Sequence, residues 1–356
     1  MKLGLGLEWA GSKLEIPVAL VQRAEALGFD SVWTAEAYGS DALTPLGYLA
    51  ACTRRIRLGT AVVQLSARSP AATAMAAQTI DALAGGGRMI LGLGASGPQI
   101  VEGWYGQPWG KPYWRMRDSV QILRKIFERE APVSHEGREL SLPYAGPGAM
   151  GVGKPLKSIL HTNPNLPIWL GTGGESMVRL TAELADGWHP LGFVPGMLES
   201  VYRPWLEQGF RRAGGGKSWA DFEIQAGCQV AVTDDVAQGL AQHKPATAFY
   251  VGGMGHKDLN FHKQTMLRRG YAEAAERIQE LFLAGKRAEA IAAVPDEYID
   301  DAGLIGPVAR IRERFPAWVD SGATGITVWT DREDVLELLA DLAGTRDHAT
   351  GEPPRA

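Results

Sequence analysis

The stretch Ile56–Gly94, IRLGTAVVQLSARSPAATAMAAQTIDALAGGGRMILGLG, decides the fold. Its flanks, Ile56–Val63 (IRLGTAVV) and Arg88–Leu93 (RMILGL), are short and apolar at nearly every position. Between them, Ser69-Pro70 opens a helix that runs to about Leu83. Serine caps exposed backbone N–H groups, and proline is tolerated at the first helical position. Gly85–Gly87 break the helix. Strand, helix and strand in direct succession is the unit of a parallel sheet. Runs that are apolar on both sides, rather than alternately, predict strands covered by helices on both faces.

The same rhythm extends in both directions. Towards the N-terminus, Lys2–Glu8 (KLGLGLE) and Phe29–Ala35 (FDSVWTA) read as strands. A helix at Ile16–Leu27 presents Leu20, Ala24 and Leu27 on one face and is ended by Gly28; another covers Leu43–Thr53. Towards the C-terminus, Tyr113–Arg129 reads as a long helix and Val133–Leu142 as a hairpin turning at Glu136-Gly137, before a Gly/Pro-rich loop over Pro143–Pro155. Strands at Leu166–Leu170, Gly187–Leu191 and Phe222–Val232 then alternate with helices at Glu175–Ala185, Met197–Ala213 and from about Asp235. Residues Gly252–Pro295 form a mostly helical insertion. Helix Pro307–Ser321, strand Thr324–Trp329 and helix Val335–Leu342 close the pattern, with Thr330 and Glu333 at capping-box spacing. Eight strands predict an α/β fold, a (β/α)8 TIM barrel with hairpin and helical insertions after strands four and seven. A doubly wound sheet would suit six strands better. The reading is one domain over 1–342 and a flexible tail over 343–356.

Composition narrows the function. Of 356 residues, 45% are apolar and 21% charged, and the net charge of −4 offers no general attraction for nucleic acid or anionic membrane. Cys52 and Cys228 lack metal or redox spacing, which predicts buried thiols in a reducing compartment. Met1–Trp9 has no signal-peptide pattern and no run approaches a membrane span, so a cytoplasmic protein is expected. The histidines do not cluster as metal ligands; His256 and His262 read as surface or loop residues, and no metal is expected.

Two glycine motifs follow strands. Gly92–Gly97 matches GxGxxG, but Pro98 follows and the acidic candidate Asp118 falls inside a helix, so the dinucleotide fingerprint fails in context. Gly171-Thr172-Gly173-Gly174 lies between a strand and a helix, where converging N–H groups and the helix dipole attract phosphate; a tight turn is the other reading. At strand ends, Glu8, Glu36 and Tyr38 would point into the upper mouth of a barrel, as catalytic groups or as solvated loop side chains. Trp9, Trp33, Trp104, Trp109, Trp114 and Trp188 fall at or near strand ends, where a planar ligand could stack, although core packing explains any one of them as well.

Together, LGLGLEW, GFDSVWTAEAYGSDAL, IRLGTAVVQLSARSPAATAMAAQTID, GRMILGLGASGPQIVEGWYG, LPIWLGTGGESMVRLTAELADGWHP and LIGPVARIRERFPAWVDSGATGITV resemble the luciferase-like superfamily, and within it the actinobacterial coenzyme F420-dependent oxidoreductases. The resemblance implies a TIM barrel, commonly a homodimer, that holds a deazaflavin at the C-terminal mouth and transfers a hydride to or from a small carbonyl, alcohol or activated C=C substrate. It implies a non-proline cis peptide at Ala61-Val62, followed by Val63 and Gln64, behind the ring. Glu36 is implied near the ring's polar edge, Ala95, Ser96 and Gly97 alongside it, and Gly173 and Gly174 at its phosphate. Where F420-dependent sugar-phosphate dehydrogenases carry histidine this chain has Ala37, and their acid after strand four is replaced near Gly97, so that substrate class is not expected. Glu8 is a candidate proton donor or acceptor and Tyr38 a candidate to orient substrate oxygen. Lys257, Arg268 and Arg269 are possible partners for an acidic cofactor tail. An FMN-dependent monooxygenase and a non-catalytic flavin-binding protein are the alternatives.

Overall fold

The computed structural model describes residues 1–8 and 11–346; Trp9, Ala10 and residues 347–356 lie outside it. Eight parallel strands close into a barrel: β1 (Lys2–Gly6), β2 (Ser31–Thr34), β3 (Arg57–Thr60) with its continuation β4 (Val63–Gln64), β5 (Met89–Gly94), β8 (Ile168–Thr172), β9 (Gly187–Pro190), β10 (Glu223–Val232) and β12 (Gly325–Val328). Closure runs through β12, which pairs β10 through Gln225↔Gly325 and β1 through Lys2↔Gly325. The insertions fall where expected. Strands β6 (His135–Glu136) and β7 (Ser141–Leu142) form the hairpin after β5, and five helices between Lys244 and Asp301 follow β10. The buried Asp118 carboxylate accepts from Glu139 and Leu140 N–H at 2.7 and 3.0 Å, so it holds this hairpin.

One strand is additional. β11 (Gly303–Gly306) pairs the far half of β10, Gln229↔Gly303 to Val232↔Gly306, beyond the part that closes the barrel. Its four residues, GLIG, sit between a helix and Pro307, too short for a periodic signal. The helix read over Met197–Ala213 begins as a π-turn, Leu198–Tyr202, and is α-helical from Arg203. Pro204 has no N–H to give to the turn before it, which favours the slipped ladder. Thr330 accepts from Arg332 N–H at 3.1 Å, but Arg332 is the N-cap and no capping box forms. At the C-terminus, Thr345 is buried and donates to Leu27 O at 2.8 Å, so 343–346 dock on the barrel instead of fraying.

Inside the barrel the side chains alternate large and absent. Trp33 and Trp169 lie 5.2 Å apart between ring centroids and fill the middle. A Cβ on Gly59 would stand 2.1 Å from the Trp33 ring and one on Gly187 2.4 Å from that of Trp169, so each indole occupies the space its neighbour leaves. His189 joins them, 4.5 Å from Trp33. At the N-terminal end, Arg57 bridges Asp30 at 2.6 Å and Glu223 at 2.9 Å, and Lys2 meets Glu223 at 2.7 Å. These ions close the bottom, which leaves the C-terminal mouth as the accessible end. Cys228 is buried, whereas Cys52 is only half-buried, contrary to expectation.

Candidate active site

The mouth is organised by a break in the third strand. Pairing stops at Thr60 and resumes at Val63, and the Ala61–Val62 peptide between them is cis. Ala61 N–H donates to Thr34 O at 2.6 Å and Glu36 N–H to Val62 O at 3.4 Å, stitching this bulge to the end of β2. The Val62 side chain crosses the tops of two further strands: a Cβ on Gly94 would lie 2.3 Å from its Cγ2, and one on Gly171 2.9 Å from its Cγ1. Two glycines side by side on β5 and β8 therefore seat one valine, which forms an apolar wall.

Glu36 fixes that wall from behind. Its buried carboxylate accepts from Gln64 N–H at 2.9 Å and Ala42 N–H at 3.0 Å, and Arg68 reaches both oxygens at 2.8 and 3.0 Å. Gln64 Nε2 returns a bond to Glu36 O at 3.3 Å. The acid's polar capacity is spent within the protein, so its part is to position the bulge. Ala95 and Ser96 are half-buried in the loop after β5, with Ser96 at φ 58°, and Gly97 caps the short helix Pro98–Gly103.

Beyond the wall, Thr172 ends β8 with its hydroxyl 2.8 Å from that of Thr181. Gly174 is the N-cap of helix Glu175–Leu184, no side chain caps that end, and a Cβ on Gly174 would meet nothing within 4 Å. Arg268, at the end of helix Phe261–Arg268, places Nη2 3.4 Å from where a Gly173 Cβ would be. That helix approaches because Gly192, at φ 66°, admits the Thr265 methyl to 2.3 Å from its would-be Cβ. Thr265 Oγ1 holds Arg268 Nη2 at 2.8 Å, while Arg268 Nε is buried without a hydrogen-bond partner. Backbone N–H groups, a helix N-terminus and the Arg268 guanidinium converge on one spot, which suits a phosphate. Of the other basic candidates, Lys257 sits in an exposed loop and Arg269 is engaged by Tyr298, its Cζ 3.8 Å from the ring centroid.

The opposite side of the mouth carries Glu8 and Tyr38, both exposed. Burial raises the Tyr250 phenol above its ordinary value, and the charges of Tyr38 and Glu8 add to this, so the three groups share one region. His262 lies in helix Phe261–Arg268 with its ring tilted against Tyr250 at 4.6 Å between centroids, and burial pushes its imidazole down to about 4, so it is not the surface or loop residue expected. Trp329, just past β12, completes this side. Of the tryptophans singled out in the sequence, Trp33 and Trp188 are buried, Trp104, Trp109 and Trp114 belong to the excursion after β5, and Trp9 lies outside the described residues. The signal for Trp329 was its place at the end of the last strand, in register with Gly325 and Thr327 on the inward face.

The sequence profile of the luciferase-like monooxygenases matches residues 9–325. The chain belongs to this family. It is 46% identical over 344 residues, 96% of its length and 99% of the relative's, to a Mycobacterium tuberculosis protein described as a coenzyme F420-dependent oxidoreductase. The fold is shared with the coenzyme F420-dependent tetrahydromethanopterin reductase of Methanopyrus kandleri, at a TM-score of 0.74 and 22% identity over 95% of this chain and 97% of that one. It is shared too with an F420-dependent secondary alcohol dehydrogenase bound to an F420–acetone adduct, at 0.73 and 17% over 97% and 98%. Among the described residues no helix is long and apolar enough to cross a membrane, and no group of side chains is arranged to hold a metal. The residues fit a phosphorylated polycyclic cofactor: Val62 offers a flat apolar support and the Gly173–Gly174 turn with Arg268 an anion seat.

Proposed function

We propose that the barrel mouth binds coenzyme F420 and that the protein is an oxidoreductase passing a hydride between the deazaflavin and a small organic carbonyl, alcohol or activated C=C compound. The observation that carries this reading is the pairing of the Val62 wall on Gly94 and Gly171 with the uncapped Gly174 turn beneath Arg268. The near-full-length likeness to an F420-dependent relative supports it. When bound, the deazaflavin supplies the carbon that gives or takes the hydride. Val62 and the bulge at 61–64 hold its ring at a fixed height in the mouth, and Glu36 with Arg68 keeps the bulge from shifting. Gly173, Gly174 and Arg268 grip the phosphate and so set the ring's position along the mouth. Glu8 holds or releases the proton that accompanies hydride transfer to a carbonyl, and Tyr38 orients the substrate oxygen.

Titration of the purified protein with F420 and with FMN, followed by quenching of tryptophan fluorescence, tests the cofactor. F420 is expected to bind more tightly, and its reduced form to be oxidised faster when an acceptor is added. Preference for FMN with oxygen consumption would replace this reading by a monooxygenase; tight binding without turnover would leave a flavin-binding protein. Arg268→Ala is expected to weaken F420 by about tenfold, a charge-assisted hydrogen bond's worth, and to leave its dephosphorylated chromophore unaffected. Equal losses for both would remove the phosphate role.

A further inference from the structure

We propose that Trp329 is the substrate-side wall of the mouth and that it selects uncharged, planar cyclic carbonyl compounds. The inference rests on the cofactor reading above, because it assigns the space facing the Val62 wall to the substrate. β12 lies between β10 and β1, and its inward row is Gly325, Thr327 and then Trp329. The flanking strands carry glycine at the same height. A Cβ on Gly6 would stand 2.3 Å from Trp329 Nε1, and one on Gly227 3.3 Å from Cη2. The indole thus lies across two bare backbones, as Val62 lies across Gly94 and Gly171 on the opposite side of the ring of strands.

Trp329 differs from the other barrel-lining tryptophans in exposure. It is 39% exposed, against 2% for Trp33 and 1% for Trp169, so it presents ring surface outward and does not plug the core. An indole facing an aliphatic wall favours a flat ring between them over a flexible chain. Glu8 continues the inward row of β1 past Gly6. Arg332 is turned away, bonded to Asp334 at 3.0 Å and to Val232 O at 3.1 Å. Tyr250 and the neutral His262 add polar but uncharged contacts. This side therefore disfavours an anionic substrate, and an uncharged ring bearing a carbonyl meets both the apolar wall and the polar rim.

The test uses two probes of one shape, 2-naphthol and naphthalene-2-carboxylate, titrated calorimetrically into the F420-loaded protein. The neutral probe is expected to bind at least about tenfold more tightly than the carboxylate, which must be desolvated beside Glu8. Trp329→Ala is expected to weaken 2-naphthol by about tenfold, and Trp329→Phe to restore part of the loss. F420 affinity, measured separately, should stay within about twofold in both variants, which shows the fold and the cofactor seat intact. Absence of 2-naphthol binding to the unaltered protein, or equal affinity in Trp329→Ala, overturns the proposal. If F420 does not bind but 2-naphthol still responds to Trp329, the cofactor reading fails and the wall stands.

Discussion

Glu36 shows how a single side chain can be located by the sequence while its partners stay hidden. Its place after the second strand put it at the mouth, and the family resemblance put it near the cofactor's polar edge. Arg68, 32 residues later in a Ser/Ala/Arg loop, carries no signal that it would pair with Glu36, so the acid's employment within the protein was invisible. Its side chain is only 3% exposed, and three donors converge on it. Glu36→Gln removes the charge and leaves Arg68 with Asp41 alone, at 3.5 Å. A broken buried pair of this kind should cost about 3 kcal/mol, read as a lower urea midpoint with an unchanged slope. F420 affinity should fall with it, because the bulge behind the ring loses its brace. Undiminished stability would mean that the carboxylate is dispensable to the bulge.

At the scale of elements, the barrel strands were legible because each is a short apolar run between helices with clear caps. Ser69 accepts from Ala72 N–H at 3.3 Å with Pro70 following, as the sequence implied. What could not be read was the filling of the barrel, since which inward residue meets which depends on the stagger of non-adjacent strands. His189 on β9 is an instance: it ends among tryptophans, and burial pushes its imidazole down to about 4, only partly offset by the Gln225 backbone. The native protein therefore refuses a proton that the unfolded chain accepts near pH 6.5. The contribution of His189 to stability should be constant above about pH 7 and fall between about 6.5 and 4, by on the order of 3 kcal/mol. Carboxylates held low, such as Glu223, lose their contribution largely below that window. Thermal unfolding from pH 7.5 to 5 measures the fall, and His189→Phe should reduce it by about half, since His262 is held down to about 4 as well; an unaltered slope would assign the effect elsewhere.

For the molecule as a whole, the segment 143–165 matters most outside the barrel. It has no regular structure, yet Arg129 Nε holds Ser158 O at 2.7 Å and Ser158 Oγ meets Gln78 at 3.3 Å on helix Pro70–Leu83. Ile159 is 92% exposed, Met150 88% and Leu156 78%, with Met75 63% exposed on the same helix. An apolar surface of this kind is costly against water, and the homodimer implied by the family resemblance would cover it. Light scattering is expected to give twice the monomer mass, and Ile159→Glu to shift the protein to monomer; a monomeric unaltered protein would refute the dimer. The number and order of the barrel strands, the insertions, and the glycine turns that end β5 and β8 were legible in the sequence, because local periodicity, caps and turns are written within a few residues. Folding alone laid Val62 over Gly94 and Gly171 and Trp329 over Gly6 and Gly227, paired Arg68 with Glu36, and brought Arg268 to Gly173. Those contacts join residues on different strands and helices, and no local pattern encodes which of them closure of the barrel brings together.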